Sequence, residues 1–183
     1  MVLIRTFIAF DFPPEFKEKI VEIQLKLNDF NLKFVDPDIV HITLKFLGDV
    51  DENRIEPIAR ALDGIVSPSF DAVVRNVGVF PKPQYIKVIW LGVEGSFVQL
   101  HDNVESALDP FRFKKDKHGY TAHATIARVK SVPTSRKEAL LKILDELKDV
   151  ELGTMHVDTI KLKKSTLTPE GPIYETLHKV RLK

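Results

Sequence analysis

The chain has 183 residues, of which 44% are hydrophobic and 29% charged, and its formal net charge is +1. This composition is typical of a globular protein, and the near-neutral charge argues against wrapping long nucleic acids by charge alone. The absence of cysteine excludes disulfide bonds and thiolate metal sites. The longest apolar runs are too short to cross a bilayer, and Arg5 and Asp11 interrupt any secretory signal, so we expect a cytoplasmic protein.

Strands and helices are predicted to alternate in the first half of the chain. Residues 2–10 are rich in β-branched and aromatic side chains and predict a strand, after which Pro13-Pro14 suits the first turn of a helix. The buried stripe of that helix is predicted to contain Phe16, Ile20, Ile23 and Leu27. Residues 32–35 and 40–47 predict two strands around the turn Asp36-Pro37-Asp38. The apolar face of the second helix is predicted to contain Ile55, Ala59, Leu62 and Val66.

The second half of the chain repeats this order. Residues 69–80 and 85–93 predict strands joined by the turn Pro81-Lys82-Pro83, and residues 122–129 predict another strand. The third helix is predicted to bury Phe97, Leu100, Val104 and Leu108. The fourth is marked by Leu140, by Ile143 or Leu144, and by Leu147.

Residues 150–167 and 173–182 predict the final strands of the chain. Four helices with some eight strands, many joined by short turns, predict an α+β fold with mainly antiparallel pairing. No Gly/Ser-rich linker divides the sequence, so residues 1–183 are expected to form a single domain.

Two short stretches of the sequence match each other: His41-Ile42-Thr43-Leu44 and His123-Ala124-Thr125-Ile126, which lie 82 residues apart. Each is predicted to open a strand. Two copies at such a distance do not make a solenoid repeat; they indicate two related lobes, each supplying half of one site.

Strand geometry predicts which side chains of the motifs share a face. Because side chains alternate across a strand, His41, Thr43 and Lys45 are expected on one face, with Ile42, Leu44 and Phe46 toward the core. In the second motif, His123 and Thr125 are expected on the exposed face. The same alternation turns Arg128 inward, unless a bulge or the end of the strand re-aims it.

Two His-Thr pairs that face each other suit the chemistry of a phosphate ester. Histidine titrates near pH 6.5, so one imidazole can accept a proton from a nucleophile while the other protonates a leaving oxygen. Each threonine hydroxyl can donate a hydrogen bond to a non-bridging phosphate oxygen. One such pair alone would more often be structural, but two copies in equivalent strands favour a functional site.

Other chemistries find less support in the sequence. Zinc is the main alternative because histidine is a frequent metal ligand, but no H-E-x-x-H or His-x-His pairing occurs, so we predict no metal and no cofactor. Glycine-rich phosphate loops are absent. The other histidines assigned structural roles are His101, His156 and His178. The aromatic residues that could stack on a nucleobase, although strand aromatics usually belong to the core, are Phe7, Phe46, Tyr120 and Tyr174.

The motifs and their flanks resemble the two-histidine (2H) phosphoesterase superfamily. Within it they are most similar to the archaeal and bacterial RNA 2′,3′-cyclic phosphodiesterases, also called 2′-5′ RNA ligases. The resemblance covers essentially the whole chain, and its characteristic segments are residues 5–10, 41–48, 88–93, 123–128 and 165–177. One departure is Ala122, because the family usually has proline before the second histidine.

The resemblance implies two pseudo-symmetric lobes of mainly antiparallel sheet, with helices packed outside and an active-site cleft in the centre. It implies hydrolysis of RNA 2′,3′-cyclic phosphate ends to 2′-phosphates without metal or cofactor. By resemblance, His41 would donate a proton to the leaving 3′-oxygen and His123 would accept one from the attacking water. Thr43 and Thr125 would hold phosphate oxygens, and Arg128 would add positive charge.

The implied partners are RNA 3′ ends bearing a 2′,3′-cyclic phosphate, among which tRNA-derived ends are one candidate. The sequence shows no obligate protein partner and no membrane segment. Three alternatives stay open at this point: ATP-independent 2′-5′ ligation as the reverse reaction, a non-catalytic RNA-end-binding protein, and a phosphodiesterase of small cyclic nucleotides.

Overall fold

The computed structural model describes residues 1–183 and confirms the predicted alternation of strands and helices. The nine strands are β1 (Leu3–Asp11), β2 (Leu32–Phe34), β3 (His41–Asp51), β4 (Phe70–Lys82), β5 (Tyr85–Glu94), β6 (His123–Val129), β7 (Glu151–Val157), β8 (Thr159–Thr168) and β9 (Gly171–Arg181). The four α-helices are α1 (Lys17–Lys26), α2 (Ile55–Asp63), α3 (Phe97–Leu108) and α4 (Thr134–Leu147).

All nine strands form one antiparallel sheet, which confirms the predicted α+β class. The strand order is β7-β4-β5-β6-β3-β1-β8-β9, and β2 pairs with β6 beside this path. The motif strands β3 and β6 are therefore neighbours at the centre of the sheet, each followed outward by three further strands. They share a single residue pair, Ile42 with Ala124, so the two halves of the sheet meet only where the motifs lie.

The core is one connected cluster of buried apolar side chains from the sheet and all four helices. In α1 the predicted stripe is confirmed, because Phe16, Ile20, Ile23 and Leu27 are all buried. The stripe predicted for α3 and the leucines of α4 are buried as well, with Leu144 rather than Ile143 in the core. This burial fixes the helices against the sheet.

Two local predictions were wrong. Val66 was expected on the buried face of α2, but the helix ends at Asp63 and Val66 is 82% exposed. Gly64 follows the helix directly and has low helix propensity; the chain turns there and buries Ile65 instead. The turn predicted at residues 81–83 lies one to two residues later, because β4 continues to Lys82.

None of the helices is long and apolar enough to span a membrane.

Candidate active site

The two motif histidines are held in the same way at the starts of their strands. His41 Nδ1 lies 2.9 Å from the carbonyl oxygen of Ile39, and His123 Nδ1 lies 2.7 Å from that of Thr121. A carbonyl oxygen can only accept, so each Nδ1 carries the proton and donates it. In the neutral imidazoles, Nε2 is therefore the unprotonated nitrogen, available to accept a proton or, once protonated, to donate one.

The turn before β3 fixes the carbonyl that orients His41. Pro37 starts a short 3-10 turn ending at Ile39, and the side chain of Asp36 accepts a hydrogen bond from the backbone N–H of Asp38 at 2.9 Å. Such a turn favours proline at its first position and an aspartate before it whose side chain caps the backbone. The local sequence thus places the Ile39 carbonyl against the imidazole.

The register between β3 and β6 brings the two motifs together as predicted. Ile42 faces Ala124 in an antiparallel pair, and both side chains are completely buried. The residues that flank this pair, His41 and Thr43 on β3 and His123 and Thr125 on β6, are half-buried. Because alternate side chains point to opposite faces, the four polar groups share the face away from Ile42 and Ala124. Each histidine lies diagonally across from the other.

A β-bulge in β3 overturns the prediction for the end of the first motif. Ile8 pairs with Lys45 but Ala9 pairs with Thr43, so Leu44 is an extra residue that reverses the alternation. Lys45 was expected beside His41, but its side chain is buried and forms an ion pair with Glu105 of α3. Phe46 was expected in the core; it is 65% exposed and lies on the face of His41.

The same bulge recurs in β6 and decides the position of Arg128. Ile89 pairs with Ala127 whereas Trp90 pairs with Thr125, so Ile126 is the extra residue. Ala127 therefore turns inward and is fully buried, while Arg128 is exposed. The bulge turns Arg128 to the face of His123, contrary to the inward direction given by strict alternation. Arg128 occupies the place in the second motif that Phe46 has in the first.

Aromatic rings surround both histidines, but differently. The His41 ring contacts Phe7 and Tyr174, with centroid distances of 5.2 and 5.3 Å, and the Tyr174 ring is perpendicular to it. The His123 ring lies 4.9 Å from Phe80 and 6.1 Å from Trp90. These contacts limit the rotation of both imidazoles.

Burial lowers the pKa of both histidines. For His41, the hydrogen bond to Ile39 and the charge of Asp11 oppose this shift, whereas Lys163 and His123 add to it. For His123, the hydrogen bond to Thr121 opposes the shift and the charge of Arg128 adds to it. The two imidazoles lie within electrostatic reach of each other, because the register of β3 and β6 sets them diagonally opposite. Both are therefore mainly neutral near pH 7 before an anion binds.

The charged group beside His41 was missed by the sequence analysis. Asp11 pairs with His41 across β1 and β3, and its carboxylate accepts hydrogen bonds from Lys161 and Lys163 at 2.7 and 2.6 Å. Burial alone would raise the pKa of Asp11, but the two lysines outweigh it and lower the pKa. The spacing of Lys161 and Lys163 on one strand places both on one face, but their proximity to His41 depends on the strand order.

The three histidines that were assigned structural roles are engaged elsewhere. His101 stacks on Tyr120 at 4.3 Å, while His156 and His178 each lie 2.7 Å from a carboxylate oxygen, of Asp71 and Asp63 respectively. No group of three or more histidine and carboxylate side chains is arranged to hold a metal ion.

Of the four aromatic residues considered for base stacking, only Phe46 is mostly exposed. Phe7 is buried, and Tyr120 is covered by His101 and donates a hydrogen bond to the carbonyl of Thr43. Tyr174 is half-buried, packed against His41 and Phe7. Phe46 therefore offers the freest ring face near the first motif.

Comparison with known proteins identifies the family. The sequence profile described as LigT-like phosphoesterase matches the chain twice, over residues 10–90 and 92–174. The chain belongs to the LigT-like phosphoesterases. Each matched segment contains one His-x-Thr motif, and the resemblance inferred from these motifs is thereby confirmed.

Two archaeal members of the LigT-like family are close to this chain over nearly their whole lengths. The protein of Methanothermobacter thermautotrophicus is 39% identical over 186 residues, covering 98% of this chain and 99% of the relative. That of Methanocaldococcus jannaschii is 38% identical over 174 residues, covering 94% and 98%. Both relatives are named RNA 2′,3′-cyclic phosphodiesterase.

Two solved structures share this fold. The protein TT0787 of Thermus thermophilus superposes with a TM-score of 0.81 at 28% identity, covering 97% of both chains. LigT of Escherichia coli complexed with 3′-AMP superposes with a TM-score of 0.78 at 20% identity, covering 100% of this chain and 99% of the other.

Proposed function

We propose that this chain hydrolyses RNA 2′,3′-cyclic phosphate ends to 2′-phosphates by paired-histidine acid–base catalysis. The observation that carries the proposal is the pair of imidazoles, each fixed through Nδ1 by a backbone carbonyl, on one face of two neighbouring strands. The names of the archaeal relatives, at 38–39% identity over almost the whole chain, support the same substrate.

In the proposed reaction the histidines have opposite roles. His123 Nε2 takes a proton from water as the water oxygen bonds to phosphorus, and the bond between phosphorus and the 3′-oxygen breaks. His41 Nε2 then gives its proton to the 3′-oxygen, which leaves a 3′-hydroxyl and a 2′-phosphate. One water is consumed, and the two histidines exchange protons with solvent to return to their starting states.

The other polar residues of the site are assigned to the phosphate. The hydroxyl groups of Thr43 and Thr125 donate hydrogen bonds to its non-bridging oxygens, which gain charge in the transition state. Arg128 adds positive charge on the same face. An anionic phosphodiester between the histidines raises both lowered pKa values and thereby favours the protonated form that His41 needs.

We further propose that the chain is one domain of two related lobes, each contributing one motif. The central position of β3 and β6 and the bulge after each threonine support this division. We place the activity in the cytoplasm, where tRNA-derived cyclic ends are candidate substrates, and we assign it no metal, cofactor or obligate protein partner. ATP-independent 2′-5′ joining is the reverse of the same chemistry.

A turnover experiment tests the proposal against its alternatives. The purified chain is incubated with an oligoribonucleotide ending in a 2′,3′-cyclic phosphate, and the product is separated by chromatography. We expect multiple turnovers of the oligonucleotide. Binding without turnover would instead indicate a non-catalytic RNA-end-binding protein. Turnover confined to small cyclic nucleotides would indicate a phosphodiesterase of small cyclic nucleotides.

A further inference from the structure

A cationic cluster beside His41 has no part in the proton transfers described above. We call Asp11, Lys161 and Lys163 the β1/β8 cluster. Both lysine Nζ atoms bind the one carboxylate, Lys161 at Oδ2 and Lys163 at Oδ1. Two ammonium groups therefore share one negative charge, and the cluster keeps one positive charge that its own members do not neutralise.

This excess charge is largely shielded from water. The side chain of Lys163 is 8% exposed and that of Lys161 is 26% exposed. A positive charge withdrawn from water is unfavourable unless an anion compensates it. Such an arrangement is therefore suited to binding an anionic group of a ligand.

The cluster belongs to the same face as the reacting groups. Asp11 is the cross-strand neighbour of His41, and Lys163 Nζ lies 5.3 Å from the ring centroid of Tyr174, which itself packs against His41. The charges of Arg5 and Arg128 both act on the Tyr174 hydroxyl. The two lysines and their shared carboxylate thus adjoin the His41 half of the site, whereas the charge of Arg128 acts on both halves.

The other half of the site has a different character. His123 faces the rings of Phe80 and Trp90, and Gly92 is its cross-strand neighbour on β5. The cation on this side is Arg128, which is exposed and is already assigned to the reacting phosphate. An anion adjoining the reacting phosphate is consequently favoured on the β8 side.

We propose that the β1/β8 cluster binds the phosphodiester on the 5′ side of the terminal nucleotide, so that the enzyme acts preferentially on an RNA chain. This inference rests on the proposed function. The reacting phosphate is held on β3 and β6, whereas the ammonium groups of Lys161 and Lys163 are held at Asp11 of β1, about 5 Å from β3 on the side away from β6. The next anionic group of an RNA chain is the phosphate on the 5′-oxygen, and a mononucleoside cyclic phosphate lacks it.

Three substrates and three variants test the inference. The substrates are cytidine 2′,3′-cyclic phosphate, its 5′-phosphorylated form, and a cytidylyl dinucleotide ending in the cyclic phosphate. The variants are Lys161→Met, Lys163→Met and the matched control Lys164→Met. Lys164 lies on the same strand and carries the same charge, but it pairs with Glu175 and points to the opposite face.

We expect the wild-type kcat/KM to be about tenfold higher for each substrate with a 5′-phosphate group than for the 5′-hydroxyl mononucleotide, because one charged contact is gained. Lys161→Met and Lys163→Met should each reduce this preference several-fold or more, where the preference is the ratio of two kcat/KM values measured on the same variant, so that any change in the rate on the 5′-hydroxyl substrate is divided out. Lys164→Met should keep the preference. The kcat/KM for the dinucleotide should also fall more steeply with salt than that for the 5′-hydroxyl mononucleotide. In a plot of log kcat/KM against log salt concentration, the dinucleotide slope should be steeper by about 0.7.

Several results would overturn the inference without touching the proposed function. One is an equal wild-type kcat/KM on all three substrates. Another is an equal loss of kcat/KM on all three substrates in the Lys161→Met and Lys163→Met variants. The third is a preference for the dinucleotide that the 5′-phosphorylated mononucleotide does not share. If Lys163→Met fails to fold by circular dichroism, Lys161→Met, which is more exposed, decides the question. Absence of turnover on every substrate would instead contradict the proposed function itself.

Discussion

At the scale of single residues, the site depends on two imidazoles with one hydrogen bond each to the backbone. His41→Ala and His123→Ala should each lower kcat about 10²- to 10⁴-fold, because each removes one general acid or base. His156→Ala is the matched control, since His156 is an exposed histidine that pairs with Asp71 and should leave kcat unchanged. Full activity in both motif variants would contradict the assigned roles.

The lowered pKa values of both histidines predict the pH dependence. In the free enzyme each imidazolium loses its proton below the usual value near 6.5, so both limbs of the bell-shaped kcat/KM profile should lie on the acid side of that value. Bound phosphate stabilises the imidazolium form, so the maximum of kcat should lie at higher pH than that of kcat/KM. Steady-state kinetics from pH 4.5 to 9 measure both, and a kcat/KM maximum above pH 6.5 would contradict this account.

Sequence reasoning located the residues proposed for catalysis but not everything around them. Strand alternation placed His41, Thr43, His123 and Thr125 on a common face because all four precede the bulges. It failed for Lys45 and Phe46, since one extra residue reverses the faces and leaves no mark in the hydrophobic pattern.

At the scale of secondary-structure elements, the packing of β4 against β5 shapes the wall around His123. A β-carbon added at Gly78 would overlap the indole ring of Trp90. Gly78→Ala should therefore displace Trp90, lower the free energy of unfolding by about 1–3 kcal/mol and reduce kcat/KM. Gly119→Ala is the control, because a β-carbon there has open space. Urea unfolding and kinetics of the two variants measure the difference, and equal stability would argue against this packing role.

The ion pair between Lys45 and Glu105 joins β3 to α3 on the face away from the histidines. Their side chains are 2% and 14% exposed, so Lys45→Met leaves a mostly buried carboxylate without its partner. We expect the free energy of unfolding to fall by about 3–5 kcal/mol, and the double variant Lys45→Met/Glu105→Leu to recover most of it. A double variant as unstable as the single one would show that the charge of Glu105 is not the cause.

Helix periodicity predicted the core of α1 and α3 correctly, because apolar residues at three- and four-residue spacing all lie on one face of a helix. The end of α2 was not predictable in this way. Val66 continues the spacing of Leu62, but Gly64 intervenes and the helix stops at Asp63. The β1/β8 cluster was missed for a different reason: Asp11 and Lys163 are 152 residues apart, and only the strand order makes them neighbours.

At the scale of the whole molecule, one residue pair between β3 and β6 joins a four-strand half of the sheet, which contains β3, to a five-strand half, which contains β6 and β2. Each half brings one histidine and one threonine to that junction. Both histidines contact aromatic rings, but the two lysines and the carboxylate of the β1/β8 cluster lie beside His41, whereas Arg128 is the cation on the face of His123. This difference gives a nearly symmetric site two unlike sides, as a reaction with a distinct acid and base requires.

The most direct test of the central claim is the identity of the product formed in excess EDTA from an oligoribonucleotide with a 2′,3′-cyclic phosphate end. We expect a 2′-phosphate, formed at the same rate with and without the chelator, because the proposed proton transfers use only His123 and His41. A 3′-phosphate, or a rate that falls in EDTA and returns with added divalent metal, would contradict the account.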